Sequence, residues 1–173
     1  MASAAKVNAV VVRRAREDDA AAMSAYMAAL MAERLDTITQ REIPSVEDER
    51  DWVFQANVAE RGMILLAMAD DEVVGMLDLW AGTRPDDRHA GRFGMSVAKG
   101  WRRCGVGRAL LGAAIERARE WPGFCRLELE CAPWNTGAVA LYESLGFEHE
   151  GRMRKALNLR GRPEDMLLMA RTW

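Results

Sequence analysis

The chain has 173 residues, of which half are hydrophobic and 29% are charged, a composition typical of a globular protein rather than a disordered one. Its formal net charge of -2 excludes the general attraction to nucleic acid or anionic lipid that a strongly basic chain would show. No apolar run approaches the roughly 20 residues that a membrane span needs, and the N-terminus lacks the pattern of a signal peptide. We therefore expect one domain over residues 1–173, located in the cytoplasm and without nucleic-acid or membrane partners.

Strand and helix patterns alternate in the first third of the chain. A β-branched run predicts a strand over residues 8–13, and an acidic triplet followed by an Ala- and Met-rich stretch predicts a helix over 17–33. Residues 35–44 are polar, irregular and closed by a proline, which predicts a loop. A serine with an aspartate three residues later is a capping pattern, so a second helix is expected over 45–59.

Three strands follow, and then a helix and a fourth strand. Residues 62–69 and 73–81 are apolar runs separated by an acidic turn, so they predict a β-hairpin, and a third strand is expected over 89–98. Beyond it, apolar residues repeat every three and four positions until Pro122, where a Pro-Gly pair ends the predicted helix. The segment 125–131 alternates apolar and charged residues, which predicts a strand with one polar face.

The remaining segments predict a short helix and a final pair of strands. Asn135 is placed to cap the start of this helix, and Gly146 is placed at its C-terminal turn. The tail predicts two strands, over residues 147–157 and 165–171, joined by a loop that contains a glycine and a proline.

The turn before the third predicted helix has the features of an anion site. It spans residues 102–108 and contains three arginines and two glycines: Arg102, Arg103, Arg108, Gly105 and Gly107. The start of a helix presents unpaired backbone N–H groups, and glycine removes side chains that would keep a phosphate away. Glycines at a strand–helix junction can also serve only to turn the chain tightly, so this pattern alone leaves both interpretations open.

The turn and two further segments resemble the GNAT superfamily of N-acetyltransferases. In that family the coenzyme A turn has the pattern Arg or Gln, two residues, Gly, one residue, Gly or Ala, and residues 102–107 read Arg-Arg-Cys-Gly-Val-Gly. Residues 94–97, before the turn, and residues 135–147, after it, look like the family's other landmarks in the same order. The tail from residue 150 onward resembles the branch that contains ribosomal-protein and amino-acid N-acetyltransferases.

The resemblance implies a fold and a cosubstrate. The fold is an α/β one, with a central mixed sheet of six or seven strands flanked by about four helices, and acetyl-CoA is the implied cosubstrate, with no metal. The thioester would enter where two parallel strands, over residues 89–98 and 125–131, splay apart. The implied coenzyme contacts are Ser96, Val97, Arg102, Arg103, Cys104, Gly105, Val106, Gly107, Arg108, Asn135 and Tyr142.

Within that set, the resemblance assigns roles mainly to the backbone. The amides of residues 103–108 are implied to hold the pyrophosphate, and Ser96 and Val97 are implied to pair with the pantetheine amides. For the side chains of Arg102 and Arg103, a surface position and a contact with the ribose phosphate both stay open.

Two residues are candidates for the proton transfers. The resemblance implies that Tyr142 approaches the coenzyme sulfur, where a phenol can protonate the leaving thiolate; otherwise Tyr142 only completes the apolar face of its helix. Glu130 lies where ribosomal-protein alanine acetyltransferases carry a glutamate base, and Glu128 shares its face; a solvated or salt-bridged glutamate is the alternative. Cys104 and Cys131 have no histidine nearby in the sequence to activate them, so no covalent intermediate is expected.

These patterns predict an acyl-CoA-dependent N-acetyltransferase that moves an acetyl group from acetyl-CoA, by direct attack, to a primary amine of an amino acid, a peptide N-terminus or a small compound. A non-catalytic acyl-CoA-binding sensor or interaction module is the alternative from another class. Two distant histidines and three cysteines without paired spacing give no basis for a metal site. Trp80, Trp134 and Trp173 fit the core or a homodimer interface, and the core is the expected place.

Overall fold

The structure is a computed structural model that describes residues 10–35 and 42–173. Seven strands form its sheet: β1 (Val10–Arg14), β2 (Gly62–Ala69), β3 (Glu72–Ala81), β4 (Ala90–Val97), β5 (Arg126–Cys131), β6 (Glu148–Leu159) and β7 (Arg162–Thr172). They lie in the order β1-β2-β3-β4-β5-β7-β6. Neighbouring strands pair antiparallel except β4 and β5, which are parallel. The mixed sheet predicted from the sequence is therefore confirmed.

Four helices of the described structure cover the two faces of this sheet, as predicted. They are α1 (Ala20–Ala32), α2 (Val46–Val58), α3 (Val106–Arg119) and α4 (Thr136–Ser144). Helices α1 and α2 pack against one face of the sheet, and α3 and α4 pack against the other. One strand can contribute to both cores because its successive side chains point to opposite faces. In the fully buried strand β2, for example, Leu65 belongs to the α3 side and Leu66 to the α1 side.

Local capping chemistry sets the helix starts. Before α2, Ser45 Oγ accepts from the Asp48 backbone N–H at 3.1 Å while the Asp48 carboxylate accepts from the Ser45 N–H at 2.9 Å, which is the predicted capping pattern. The predicted first helix begins with a 3-10 turn at Glu17–Asp19, and α1 follows it directly. Residues 36–41 of the predicted loop and 8–9 of the predicted first strand lie outside the described residues.

Strands β4 and β5 separate toward their carboxyl ends. The residue pairs that join them are Ala90 with Arg126, Gly91 with Leu127 and Arg92 with Glu128. Beyond the last pair the two strands run on without pairing to each other, although β5 stays paired with β7 along its whole length. The parallel strands therefore splay as the resemblance implies, and the gap between them fixes the place of the candidate site.

Strands β6 and β7 form a long hairpin whose tip reaches α1. Arg160 and Gly161 make a two-residue turn with φ angles of 51° and 82°, the left-handed backbone that tight hairpins use. This turn lets the strands continue to Leu159 and resume at Arg162, so the predicted boundaries at 157 and 165 are wrong. Arg160 donates to the backbone oxygen of Arg34, just beyond α1, at 2.5 Å.

Candidate active site

The turn between β4 and α3 presents backbone donors at a helix end. Gly105 is the N-cap of α3, with a left-handed φ of 90°, and no described side chain caps this helix. The N–H groups of the first turn of α3 therefore have no intrahelical partner, and the helix dipole adds positive potential around them. Residues 103–108, whose amides the resemblance implies to hold the pyrophosphate, include this end, and its geometry fits such an anion.

Arg102 anchors the turn to the rest of the protein. Its Nε donates to the carbonyl oxygen of Val97 at 2.8 Å, and its two terminal nitrogens contact the carboxylate of Glu33 at 2.8 and 3.0 Å. Glu33 ends α1, so the guanidinium points toward the α1 face of the sheet. The sequence left two roles open for Arg102, a surface residue or a contact with the ribose phosphate. The structure shows instead that Arg102 contacts Val97 and Glu33 within the protein.

Arg103 and Arg108 lie along α4. Arg108 Nη2 donates to Ser144 Oγ, near the end of α4, at 2.6 Å. At the other end, a Cβ atom added to Gly137 would lie 2.9 Å from Nη1 of Arg103, so this guanidinium lies across the start of α4. The two arginines therefore connect the start of α3 to both ends of α4.

One edge of β4 turns its backbone groups toward the gap. The N–H of Ala98 donates to a carbonyl of β3 at 2.9 Å. Since bonding directions alternate along a strand, Ser96 also points its backbone groups at β3, whereas Met95 and Val97 point theirs at the gap. Val97 therefore lies as its predicted pantetheine contact requires, while Ser96 offers a side chain that accepts from the Tyr26 hydroxyl at 2.9 Å. Met95 was missed by the sequence analysis, and the same alternation could have identified it.

Tyr142 is buried on the α4 side of the gap. Its ring lies 5.9 Å from that of Phe93 on β4 and 5.9 Å from that of Phe147. Burial, with a further contribution from Cys131, raises the pKa of Tyr142 above its usual value, so its phenol keeps its proton at neutral pH. Burial also raises the pKa of Cys131 to about 11, which agrees with the expectation that this thiol is not a nucleophile.

Asn135 caps α4 as predicted. Its Oδ1 accepts from the backbone N–H of Ala138 at 3.3 Å. This bond uses the carbonyl end of the side-chain amide, and the amino end still has donors for a second partner. Asn135 can therefore cap α4 with its carbonyl oxygen and still donate a hydrogen bond to the coenzyme, as predicted.

The polar face of β5 carries a network of ion pairs. Arg92 of β4 donates to Glu128 at 2.6 Å and lies 3.5 Å from Glu130. Arg126 bonds Glu128 at 3.0 Å and Glu150 at 2.5 and 2.8 Å. Burial alone would raise the pKa of Glu128, but the hydrogen bonds from the two arginines lower it overall. Among the described residues Glu130 has only the longer contact with Arg92, and its side chain is 41% exposed against 25% for Glu128.

The sequence predicted that Glu128 and Glu130 share a face, and the structure confirms this. It did not predict their arginine partners. Arg92 lies directly beside Glu128 in the parallel pairing of β4 and β5, so a register for these strands would have identified the pair. Arg126 precedes Glu128 by two residues, and the two-residue period of the strand already puts both on one face.

The two candidate catalytic residues lie on opposite sides of the gap. Glu130 and Cys131 are adjacent in β5, so their side chains point to opposite faces. Cys131 packs in the same core as Tyr142, on the α3 and α4 side, whereas Glu130 joins the ion-pair network on the other face. A thioester bound in the gap would have a proton donor, Tyr142, on one face of the sheet. On the other face it would have Glu130 and the space from which a nucleophile can approach.

A small cavity lies beside the glutamates. It has a volume of about 120 Å³, and its lining consists of Arg92, Arg126, Glu128, Leu129, Glu130, Glu150, Leu168 and Met169. A larger cavity of about 330 Å³ lies between α1 and the start of β3, but neither Tyr142 nor Glu130 lines it. The smaller cavity is therefore the one that belongs to the candidate site.

Over residues 10–35 and 42–173, no cluster of three or more His, Cys, Asp or Glu side chains is arranged to hold a metal ion. In the same part of the chain, none of the helices has the length and apolar character needed to cross a membrane.

Comparison with known proteins identifies relatives for most of this chain. Residues 27–147 match the family model described as the acetyltransferase (GNAT) family. The chain is 35% identical over 123 residues to the L-amino acid N-acetyltransferase AaaT of Escherichia coli K12, covering 70% of this chain and 76% of that one. It is 34% identical over 117 residues to the ribosomal protein bS18-alanine N-acetyltransferase of Salmonella typhimurium, covering 68% and 76%.

Solved structures share the fold. A GNAT-family acetyltransferase from Streptococcus pneumoniae superposes with a TM-score of 0.90 at 26% identity, over 95% of this chain and 99% of that one. An acetyltransferase from Salmonella typhimurium, solved with its cofactor acetyl-CoA, has a TM-score of 0.84 at 20% identity, over 95% and 94%.

Proposed function

The chain belongs to the acetyltransferase (GNAT) family, and we propose that it transfers the acetyl group of acetyl-CoA to a primary amine of an amino acid, a peptide N-terminus or a similar small compound. The two curated relatives described above carry the names of N-acetyltransferases, one for L-amino acids and one for an alanine of a ribosomal protein. Both names specify acetylation of an amino-acid nitrogen, and the proposed acceptor class follows them.

The observation that carries the proposal is the position of the gap between β4 and β5. The backbone groups of Met95 and the N–H of Val97 line one side of it, and the turn after β4 leads to the start of α3, which no described side chain caps. A pantetheine arm can pair with such a strand edge while its pyrophosphate meets the helix start. The gap therefore directs the thioester toward the space between Tyr142 and Glu130.

Acetyl-CoA supplies an activated acyl group, and the residues at the gap supply positioning and proton transfer. In the proposed reaction the neutral acceptor amine attacks the thioester carbonyl, a C–N bond forms and the C–S bond breaks. Tyr142 gives its proton to the departing thiolate. Burial keeps the phenol protonated at neutral pH, and the same desolvation disfavours the charged thiolate, which makes it a better proton acceptor there than in water. The phenolate then regains a proton from solvent.

Glu130 is the proposed acceptor of the amine proton, directly or through one water. Glu128 is less suited to this role, because two arginines hold it and lower its pKa. Glu130 is more exposed and has a single, longer contact with Arg92 in the described structure. It also lies on the face opposite Tyr142, from which an acceptor amine can approach without crossing the coenzyme.

The test is an acetyl-transfer assay with a panel of acceptors. Purified protein is incubated with acetyl-CoA and L-amino acids, short peptides with N-terminal alanine, or simple primary amines, while free thiol and acetylated product are measured. Wild type should release thiol only with an accepted amine. Tyr142→Phe should lower kcat by about 100-fold, in the range expected for a lost general acid, and keep the affinity for desulfo-coenzyme A in calorimetry.

Tyr26→Phe is the matched control, because Tyr26 is also buried but lies on the α1 side of the sheet, where it donates to Ser96. It should keep kcat within about twofold, since it loses one hydrogen bond and no proton-transfer group. Well-folded wild-type protein that neither binds acetyl-CoA at millimolar concentration nor acetylates any amine of the panel would contradict the proposed function.

A further inference from the structure

Asp78 of β3 lies over β4 at a position where β4 has no side chain. Asp78 and Gly94 are direct partners in the pairing of the two strands. A Cβ atom added to Gly94 would lie only 2.8 Å from Oδ1 of Asp78 and 3.9 Å from Oδ2. The carboxylate therefore leans across the strand into the space that any other residue at position 94 would fill.

This space adjoins the gap between β4 and β5. The last pair that joins these strands is Arg92 with Glu128, and Gly94 is the next β4 residue on the same face as Arg92. That face is the one on which the hydroxyl of Ser96 meets α1 and on which Arg92 contacts Glu130. Asp78 thus lies on the side of the sheet from which the acceptor amine approaches.

We propose that Asp78 binds the ammonium group of the acceptor and positions its nitrogen for attack, an inference that rests on the proposed function. No residue of β4 is acidic, so the strand that borders the gap supplies no carboxylate of its own. Asp78 supplies one from the neighbouring strand through the opening at Gly94.

Charge balance on this face favours a cationic acceptor. Arg92 and Arg126 supply two positive charges, and their partners Glu128, Glu130 and Glu150 supply three negative ones. Asp78 adds a further negative charge to the same face. In this arrangement Asp78 binds the ammonium form. The nitrogen then loses two protons: the first passes to solvent and frees the lone pair, and the second passes to Glu130 as the C–N bond forms.

Two substitutions test the role of Asp78 independently. Asp78→Asn keeps the shape of the side chain and removes its charge. Gly94→Ala leaves Asp78 in the sequence but places a methyl group 2.8 Å from its Oδ1, which must displace the carboxylate. The matched controls are Asp71→Asn, at an exposed position in the β2–β3 turn, and Gly100→Ala, where an added Cβ would meet nothing within 4 Å.

The assay uses the full chain, acetyl-CoA and two kinds of nucleophile. The first is the L-amino acid of the acceptor panel with the highest turnover, which is protonated at neutral pH, and the second is hydroxylamine, which is largely uncharged there. Both test variants should lower kcat/KM for the amino acid by roughly 10- to 100-fold, as expected for a lost hydrogen bond between charged groups. Both test variants should change the rate with hydroxylamine much less and leave the affinity for desulfo-coenzyme A unchanged. The two control variants should keep the wild-type kcat/KM for the amino acid.

The outcomes separate this inference from the proposed function. If wild type acetylates the amino acid and both folded test variants retain its kcat/KM, or lose the two nucleophiles equally, Asp78 does not recognise the ammonium. If wild type acetylates no amine at all, the proposed function fails and the inference fails with it. Should Asp78→Asn not fold, as judged by circular dichroism, Gly94→Ala still decides the question.

Discussion

The guanidinium of Arg102 and the carboxylate of Glu33 form a two-contact ion pair, with N–O distances of 2.8 and 3.0 Å, between residues that are 69 positions apart. The same guanidinium donates to the carbonyl of Val97 at 2.8 Å. One side chain therefore joins the end of α1, the end of β4 and the first residue of the coenzyme A turn. The turn leads into α3, which packs on the face of the sheet opposite α1. The contact with Glu33 therefore ties the turn to the α1 face, while α3 holds it on the other face.

The first prediction concerns this anchor. Arg102→Ala should destabilise the protein by about 1–3 kcal/mol, because it leaves the partly buried Glu33 without its charged partner and removes a bond to a backbone carbonyl. It should also weaken binding of desulfo-coenzyme A, since the helix end that is proposed to hold the pyrophosphate loses its support. Urea unfolding gives the first quantity, and calorimetry gives the second.

Arg108→Ala serves as the control for stability, because its bond to Ser144 lies at an exposed position. Loss of that bond should cost no more than about 0.5 kcal/mol. If Arg102→Ala lost coenzyme affinity with unchanged stability, Arg102 would contact the ligand itself, and the anchoring role would be wrong.

The second prediction concerns the backbone at the start of α3. Gly105 has a φ of 90°, a conformation that costs any residue with a Cβ about 1–2 kcal/mol. Gly105→Ala should therefore destabilise the fold by that amount and weaken coenzyme binding, because the first N–H groups of α3 shift. Gly112→Ala is the control, since an added Cβ meets nothing within 4 Å inside the same helix and alanine is the better helix former. Equal coenzyme affinity in both variants would contradict the prediction.

The fold and the glycine-containing turn before α3 could be predicted from the sequence because their signals are local. The capping pattern at Ser45, the alternation of β5 and the glycines of the turn each act over a few residues, and the family motifs combine them in a fixed order. The predicted family and mixed sheet are confirmed. The individual roles given to Tyr142, Glu130 and the coenzyme contacts stay predictions.

The partners of charged residues could not be predicted in the same way. Arg102 contacts Glu33, which lies 69 positions earlier in the sequence, and no pattern within the turn indicates that contact. Gly107 is a second example: its missing side chain leaves room for Leu141, which an added Cβ would approach to 3.2 Å, so its role in packing α3 against α4 appears only in three dimensions. Asp78 lies opposite Gly94 through strand register, which the sequence does not specify.

The third prediction concerns stability in acid. Asp19 accepts from both terminal nitrogens of Arg13 at 2.7 Å and from the backbone N–H of Arg16 at 2.7 Å. The hydrogen bond from Arg13 lowers the pKa of Asp19 in the folded state. The backbone bond from Arg16 and the positive charges of both arginines act in the same direction, and together they outweigh burial, which would raise the pKa. Stability from this pair is therefore fully present above the unfolded-state pKa, about 4, and is lost as the pH falls through the lower folded-state value.

Asp19→Asn should accordingly cost about 1–3 kcal/mol at pH 7, and the difference from wild type should shrink as both proteins are acidified below about pH 4. Urea unfolding at a series of pH values measures both free energies. Asp18→Asn, at the exposed neighbouring position, should stay within about 0.5 kcal/mol of wild type throughout. A pH-independent difference for Asp19→Asn would mean that the lost contribution is packing rather than charge.

The fourth prediction separates the two glutamates of β5. Glu130→Gln should lower kcat by about 100-fold, since an amide cannot take the amine proton. Glu128→Gln should retain most of kcat but lose stability, because it leaves Arg92 and Arg126 without the carboxylate that joins them. Steady-state kinetics over a range of pH and urea unfolding of both variants test this division. The reverse pattern, in which Glu128→Gln abolishes turnover and Glu130→Gln keeps it, would transfer the base to Glu128 and require its arginine partners to move away when the acceptor binds.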